Sequence, residues 1–249
     1  MSTRNMLNGA QVIVDYLIQQ KVPNVFGLCG HGNIQFIDAL YERKHDIKTI
    51  SVHHESVAGF MADVYYRVSG QPTATFTSCG PGSANLPISL GNAFLDSVPF
   101  MAVTGNVPTS QFNRGAFQEL YRHYQADFPS TVRSYCKKVF QPTRGEMVPL
   151  AVRQAWKTMV TGRPGPVVLD VPFDVFLESA AEEAPKPAES VSYTHLVPFA
   201  EVPRALHAAG YSARPMLEIV SRDPDRDIVA SASKLALLDF AHPIASPIP

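Results

Sequence analysis

Cysteine, tryptophan and net charge are all scarce in this chain of 249 residues. Its 3 cysteines, Cys29, Cys79 and Cys136, lie far apart with no CxxC pair. That spacing argues against a disulfide framework or a cysteine-built zinc site and suits a reducing compartment, so the cytoplasm is the expected location. Lys+Arg of 21 against Asp+Glu of 22 leaves a formal charge of -1, and no global field draws the chain to nucleic acid or an acidic membrane surface. There is no apolar run of about 18 residues, and the N-terminal residues lack the apolar stretch of a secretory signal, so neither a membrane span nor a leader is expected. What the chain does have is 45% hydrophobic residues, enough for a substantial core.

Its 21 prolines and 15 glycines are unevenly placed. A Pro/Ala/Glu-rich stretch, Glu182 to Ser190, has little to bury and reads as a linker. Before it, strand-length apolar runs alternate with helix-period segments. The pattern predicts helices over Leu7 to Gln20, Glu55 to Val68, Ser83 to Leu95 and Gly145 to Val160, with a further helix ending near Leu40. Strands are expected at Val25 to Cys29, Ile47 to Val52, Thr73 to Thr77, Phe100 to Thr104 and Val167 to Val171, and another around Tyr135. Apolar strands separated by helices imply a parallel sheet covered on both faces, a doubly wound α/β domain. Ligands of such sheets sit beyond the carboxyl ends of the strands, and the unusual residues of this chain fall there.

Glu55 stands at a strand-to-helix junction with small or apolar neighbours along its helix. It is either a functional carboxylate aimed into a crevice or an acid placed to favour the helix dipole. His53 and His54 beside it do not make a metal site, since adjacent strand residues point to opposite faces and HExxH spacing is absent. Gly80-Pro81-Gly82-Ser83-Ala84-Asn85 is a tight turn opening a helix, with Ser83 as expected N-cap. No Lys follows its glycines, so it is not a P-loop, and it serves either a ligand or only the connection. A dinucleotide fingerprint at Gly30-His31-Gly32 fails at Gln35, where the third glycine is needed. Phe117-Gln118-Glu119 lies in a long polar loop, either functional or the solvated start of a helix. Cys29 and Cys79 read as small buried residues, and Trp156 as core.

Read in order, several motifs resemble the N-terminal pyrimidine-binding domain of thiamine-diphosphate enzymes, and most of all its acetolactate synthase-like group. They are His54-Glu55, the Gly80 to Asn85 turn, Asp96-Ser97-Val98-Pro99, Thr104-Gly105, Ala116-Phe117-Gln118-Glu119 and Arg163-Pro164-Gly165-Pro166-Val167. The resemblance covers residues 5 to 178. It implies thiamine diphosphate as cofactor, with Glu55 hydrogen-bonded to N1′ of the aminopyrimidine so that the exocyclic nitrogen becomes basic enough to take the thiazolium C2 proton. It also implies that Gly80, Pro81, Gly82 and Asn85 lie at the cofactor, that Gln118 sits near its amino group, and that His31, Phe117 and Gln118 face a 2-keto acid. Decarboxylation and carboligation are the reactions implied.

The organisation expected is a pyrimidine-binding domain over 1–180, a linker over 181–196 and the incomplete start of a second, central α/β domain over 197–249. The family's diphosphate-binding domain carries a Gly-Asp-Gly motif that this sequence lacks, and Mg²⁺ is expected only with that domain. A homo-oligomer, or a chain carrying the diphosphate-binding domain, is therefore the expected partner. His31 departs from the Gly-Gly-Ala-Val type loop of acetolactate synthases and is closer to related decarboxylases or carbon–carbon hydrolases. A non-catalytic interaction or regulatory module, or the pyrimidine-domain subunit of a split enzyme, is the alternative.

Overall fold

The structure is a computed structural model, described over residues 6–112 and 128–187. Six strands form one parallel sheet: β2 (Asn24–Gly27), β3 (Lys48–Ser51), β4 (Thr73–Thr77), β5 (Phe100–Asn106), β6 (Val139–Phe140) and β7 (Val167–Pro172). Their order is β3-β2-β4-β5-β7-β6. Every residue of β4, β5 and β7 is buried, which explains their largely apolar sequences. The edge strand β3 is mostly exposed and correspondingly polar.

Helices cover both faces. On one, α1 (Gly9–Gln19), α2 (Ile34–Glu42), α7 (Val148–Val160) and α8 (Phe173–Leu177) contribute Ile13, Leu17, Phe36, Leu40, Val152 and Phe176 to a single core cluster. On the other, α3 (Glu55–Ser69), α5 (Pro87–Leu95) and α6 (Phe128–Val132) contribute Ala58, Ala62, Leu90, Ala93 and Val132. The expected doubly wound architecture is what forms. Trp156 is buried in the first cluster and makes an edge contact with Tyr16. Among the described residues no helix is long and apolar enough to cross a membrane.

Local chemistry sets the ends of these elements. Asn8 and Gln11 form a reciprocal capping box at the start of α1. Gly70 closes α3 in the left-handed region at φ 71°, where a side chain would be strained. Arg163 donates to the carbonyls of Phe94 and Leu95 and to Ser97 Oγ, so the Arg163–Val167 and Asp96–Pro99 motifs meet at the C-terminus of α5.

Four expectations need correction. The helix expected over Ser83 to Leu95 is two helices, α4 (Pro81–Ala84) and α5, because Pro87 opens a new first turn. Ser83 is not an N-cap: it lies inside α4, where its hydroxyl donates to the carbonyl of Ser78. Tyr135 belongs to a tight turn, Arg133–Tyr135, and the strand follows at Val139–Phe140. Cys29 is exposed, since β2 ends two residues earlier and leaves it in the following loop. Two short strands were not foreseen: β1 (Leu7–Asn8) pairs antiparallel with β8 (Ser179–Ala181), clasping the two ends of the described body.

Candidate functional site

The path of the chain singles out one crevice. From β2 it moves outward to the edge strand β3, and from β4 it moves the other way to β5, although β2 and β4 are neighbours. At such a switch point the loops beyond adjacent carboxyl ends diverge and leave a cleft. A cavity of about 430 Å³ lies there, lined by Gly30, His31, Glu55, Ser78, Cys79, Pro81 and Gly82.

Glu55 enters this cavity as the first residue of α3, whose N-cap His54 accepts a hydrogen bond from the Ser56 amide. The position favours a negative charge because the unpaired amides of a first helical turn are positive. Its side chain is 8% exposed, too buried for a solvated helix-end acid. Oε2 accepts from Asn85 Nδ2 at 2.9 Å. Oε1 lies on the side of Gly82, where an added Cβ would stand 3.2 Å from it, closer than neighbouring atoms easily permit. Absence of a side chain at Gly82 therefore keeps the approach to this oxygen open.

The turn after β4 is shaped for that purpose. Gly80 has φ 61° and ψ -122°, a conformation that disfavours any side chain, and it directs the chain into α4, with Pro81 as its first residue. Burial pushes the Cys79 thiol up, so the sulfur lining the cavity stays protonated near neutral pH. The opposite wall is the loop after β2. Gly32 donates its amide to Ser78 Oγ at 3.1 Å, and buried Asn33 accepts from the Gly30 amide and donates to Leu28 O. From behind, Gly105 of β5 lies so close that a Cβ there would stand 2.2 Å from Gly32 O.

Of the residues singled out in the sequence, His31, Glu55, Pro81 and Gly82 thus line one cavity. Asn85 is at the same place but turned onto Glu55, and Gly80 shapes the turn rather than lining the space. Phe117 and Gln118 lie outside the described residues. Sequence reasoning missed Ser78, which braces both walls, and Phe173, whose ring stacks on His31 with centroids 5.8 Å apart. A serine or phenylalanine just past a buried strand carries no signal of its own; only the pairing of loops across the switch point reveals it.

Comparison with known proteins identifies the kind of domain this is. Residues 7–126 match the N-terminal TPP binding domain of thiamine pyrophosphate enzymes. The chain is 36% identical over 174 residues to the large subunit of acetolactate synthase isozyme 1 of Escherichia coli (strain K12), covering 70% of this chain and 30% of that protein. It is 35% identical over 169 residues to the mitochondrial acetolactate synthase catalytic subunit of Saccharomyces cerevisiae, covering 68% and 24%. The match to the acetolactate synthase large subunit of Buchnera aphidicola subsp. Acyrthosiphon pisum runs over 248 residues at 29% identity, 98% of this chain and 41% of that one. The chain spans less than half the length of each of these relatives. Residues 7–126 therefore carry the N-terminal, pyrimidine-binding domain of the thiamine pyrophosphate enzymes, and the chain is similar over 68–70% of its length to acetolactate synthase subunits.

Proposed function

We propose that this chain holds the aminopyrimidine end of thiamine diphosphate in an enzyme that decarboxylates and ligates 2-keto acids, with Glu55 as the residue that keeps a proton at N1′ of the ring. The observation that carries this reading is the Glu55 carboxylate itself: buried, held by Asn85 through one oxygen, and open beside Gly82 through the other. The donor set fits the group. A heteroaromatic ring nitrogen needs one carboxyl oxygen in a fixed place, and the cradle of Gly80, Pro81 and Gly82 lets a flat ring approach the backbone. When bound, thiamine diphosphate supplies the electron sink needed to break the bond between a keto carbon and its carboxylate.

The chain's own contribution is positional. Asn85 orients the Glu55 carboxyl group, so that proton exchange at N1′ does not wait on a rotamer search. The neutral Cys79 thiol and the apolar flank of Pro81 keep the cavity free of competing charge. His31, with Phe117 and Gln118, is assigned to the substrate side. The diphosphate end and its Mg²⁺ are assigned to a diphosphate-binding domain, contributed through a homo-oligomer or by another chain. The outer face of α3 supports such an assembly, since it exposes Val57, Val64 and Val68.

Calorimetric titration with thiamine diphosphate and Mg²⁺ tests the reading. Glu55→Gln is expected to weaken binding by about 10- to 100-fold, the value of one charge-assisted hydrogen bond. In the assembled enzyme the same change is expected to cost at least about 10²-fold in turnover. Unchanged affinity and turnover in Glu55→Gln would make Glu55 a structural acid only.

A further inference from the structure

Asp170 is a fully buried carboxylate with no place in the proposed binding of the ring. It lies in β7, and its partners include three neutral side chains: Oδ1 accepts from Thr104 Oγ1 at 2.6 Å, and Oδ2 accepts from Asn106 Nδ2 and Gln141 Nε2, each at 2.7 Å. Taking a carboxylate out of water is costly, and a valine at this position of the strand would avoid the cost. What the carboxylate adds is a grip on its neighbours.

That grip falls at one place. Thr104 and Asn106 flank Gly105 in β5, and the register sets Thr104 opposite Asp170, Gly105 opposite Val171 and Asn106 opposite Pro172. Pro172 has no amide to donate, so side-chain bonds reinforce the end of this ladder where the backbone offers one donor fewer. Asn106 is held at both ends of its amide group, since its Oδ1 accepts from the Val107 amide at 2.8 Å. Gly105, between the two gripped residues, is the support on which the far wall of the Glu55 cavity rests: a Cβ there would stand 2.2 Å from Gly32 O and 3.1 Å from Asn33 N. Gly32 in turn donates to Ser78 Oγ on the cavity wall. A continuous line of contact therefore runs from Asp170 through Gly105 and Gly32 to Ser78. Asp170 is also near enough to the cavity for its charge to add to burial in pushing the Cys79 thiol up.

We infer that Asp170 is a positioning residue for the cofactor: by holding Thr104 and Asn106 on either side of Gly105, it sets where the 30–33 loop stands across the cavity from Glu55, and with it the width of the space offered to a flat ring. Gln141 completes the hydrogen bonding of the carboxylate but comes from beyond β6, off the line that leads to the cavity. The inference rests on the reading of the Glu55 cavity as the cofactor site.

Two substitutions separate this role from a merely structural one. Thr104→Val and Gln141→Met each remove one hydrogen bond from Asp170, but only the first releases a neighbour of Gly105. Amide exchange of the full, unliganded chain is followed by NMR, with Gly32 read against the core amides of β4. In Thr104→Val the Gly32 amide is expected to exchange about five- to tenfold faster relative to that core, the value of one neutral hydrogen bond, while Gln141→Met should keep the parent ratio. Thiamine diphosphate with Mg²⁺, titrated calorimetrically, should bind about five- to tenfold more weakly to Thr104→Val and with parent affinity to Gln141→Met. Asp170→Asn retains an acceptor for Asn106 and Gln141 and turns its amide to the Thr104 hydroxyl, which can accept, so it should preserve both readouts. Equal changes in Thr104→Val and Gln141→Met, a Gly32 ratio unmoved by Thr104→Val, or loss of both readouts in Asp170→Asn overturns the positioning role. Altered Gly32 exchange with unaltered affinity, or no binding to the parent chain, overturns its bearing on the cofactor. Gly32 exchange needs no cofactor, and the affinity of Glu55→Gln, measured separately, reports on the cofactor reading alone, so the two failures are distinguishable.

Discussion

Replacing Gly105 by alanine is expected to lower stability by about 1–3 kcal/mol and to disturb the Glu55 cavity although Gly105 does not line it. The added Cβ would stand 2.2 Å from Gly32 O, 2.5 Å from Gly32 C and 3.1 Å from Asn33 N. Ordinary contact needs an opening of about 1 Å. The strand cannot supply it, because β5 is paired on one side with β4 and on the other with β7, including Gly105 to Val171. The loop has to move instead. A shift of that size breaks the bond from Gly32 N to Ser78 Oγ, now 3.1 Å, and strains the Asn33 contacts at 2.9 and 3.1 Å. Each neutral hydrogen bond lost costs about 1 kcal/mol, which places the total in the upper half of the range. Urea unfolding with an unchanged m value should report the loss, and calorimetry should show weaker thiamine diphosphate binding. Stability within about 0.5 kcal/mol of the parent, together with unaltered cofactor affinity, would refute the close approach of strand and loop on which the argument depends.

Other perturbations address separate parts of the molecule. Arg67→Ala is expected to cost about 2 kcal/mol in chemical denaturation, since it removes the two bonds at 2.9 and 3.1 Å that neutralise Asp63, whose side chain is 2% exposed; Arg67 is itself partly exposed, which keeps the loss below that of a fully buried pair. Arg163→Ala should release the last carbonyls of α5 and cost about 1 kcal/mol, read as earlier hydrogen exchange at Val98 and the end of that helix. Burial pushes the Cys136 thiol up to about 11 from an ordinary value of 9.0. The neutral form is favoured on folding, so its contribution is fully present below pH 9 and is lost as pH rises from 9 through 11, by roughly 2–3 kcal/mol in all. Cys136→Ala should flatten that part of the stability profile; an identical decline in the variant would assign it to other groups.

How far the sequence alone could lead depended on the length of each signal. Thr73–Thr77 forms as expected, and α3 runs from Glu55 to Ser69 with its stop at Gly70, because a five-residue buried run and a glycine-closed amphipathic segment each leave a full pattern. The strands β1, β6 and β8 have two or three residues and no periodicity to read. Pro87 was a visible warning against one continuous helix from Ser83, since a proline belongs in a first turn rather than an interior. Glu55 was legible as a carboxylate at a strand-to-helix junction, but its contact with Asn85 was not: Asn85 lies 30 residues away and meets it only because β4 stands beside β2 at the switch point. Phe173 was invisible for the same reason, being 142 positions from the ring it stacks on.

The antiparallel clasp at the ends of the body has a consequence of its own. Leu7 pairs with Ala181 and Asn8 with Ser179, and the Gly9 amide donates to Glu178 O, so entry and exit of this α/β unit lie side by side. Neighbouring antiparallel strands are only about 5 Å apart, a gap that a short loop can span. The unit is in effect a ring opened at one place. Joining Ala181 to Leu7 and opening new termini at the exposed turn around Gly162 would therefore keep every sheet contact and the Glu55 cavity while changing the order in which they are made. It also means that the unit can be inserted into a larger polypeptide as a side loop at little cost, because whatever precedes and whatever follows it would leave from the same corner.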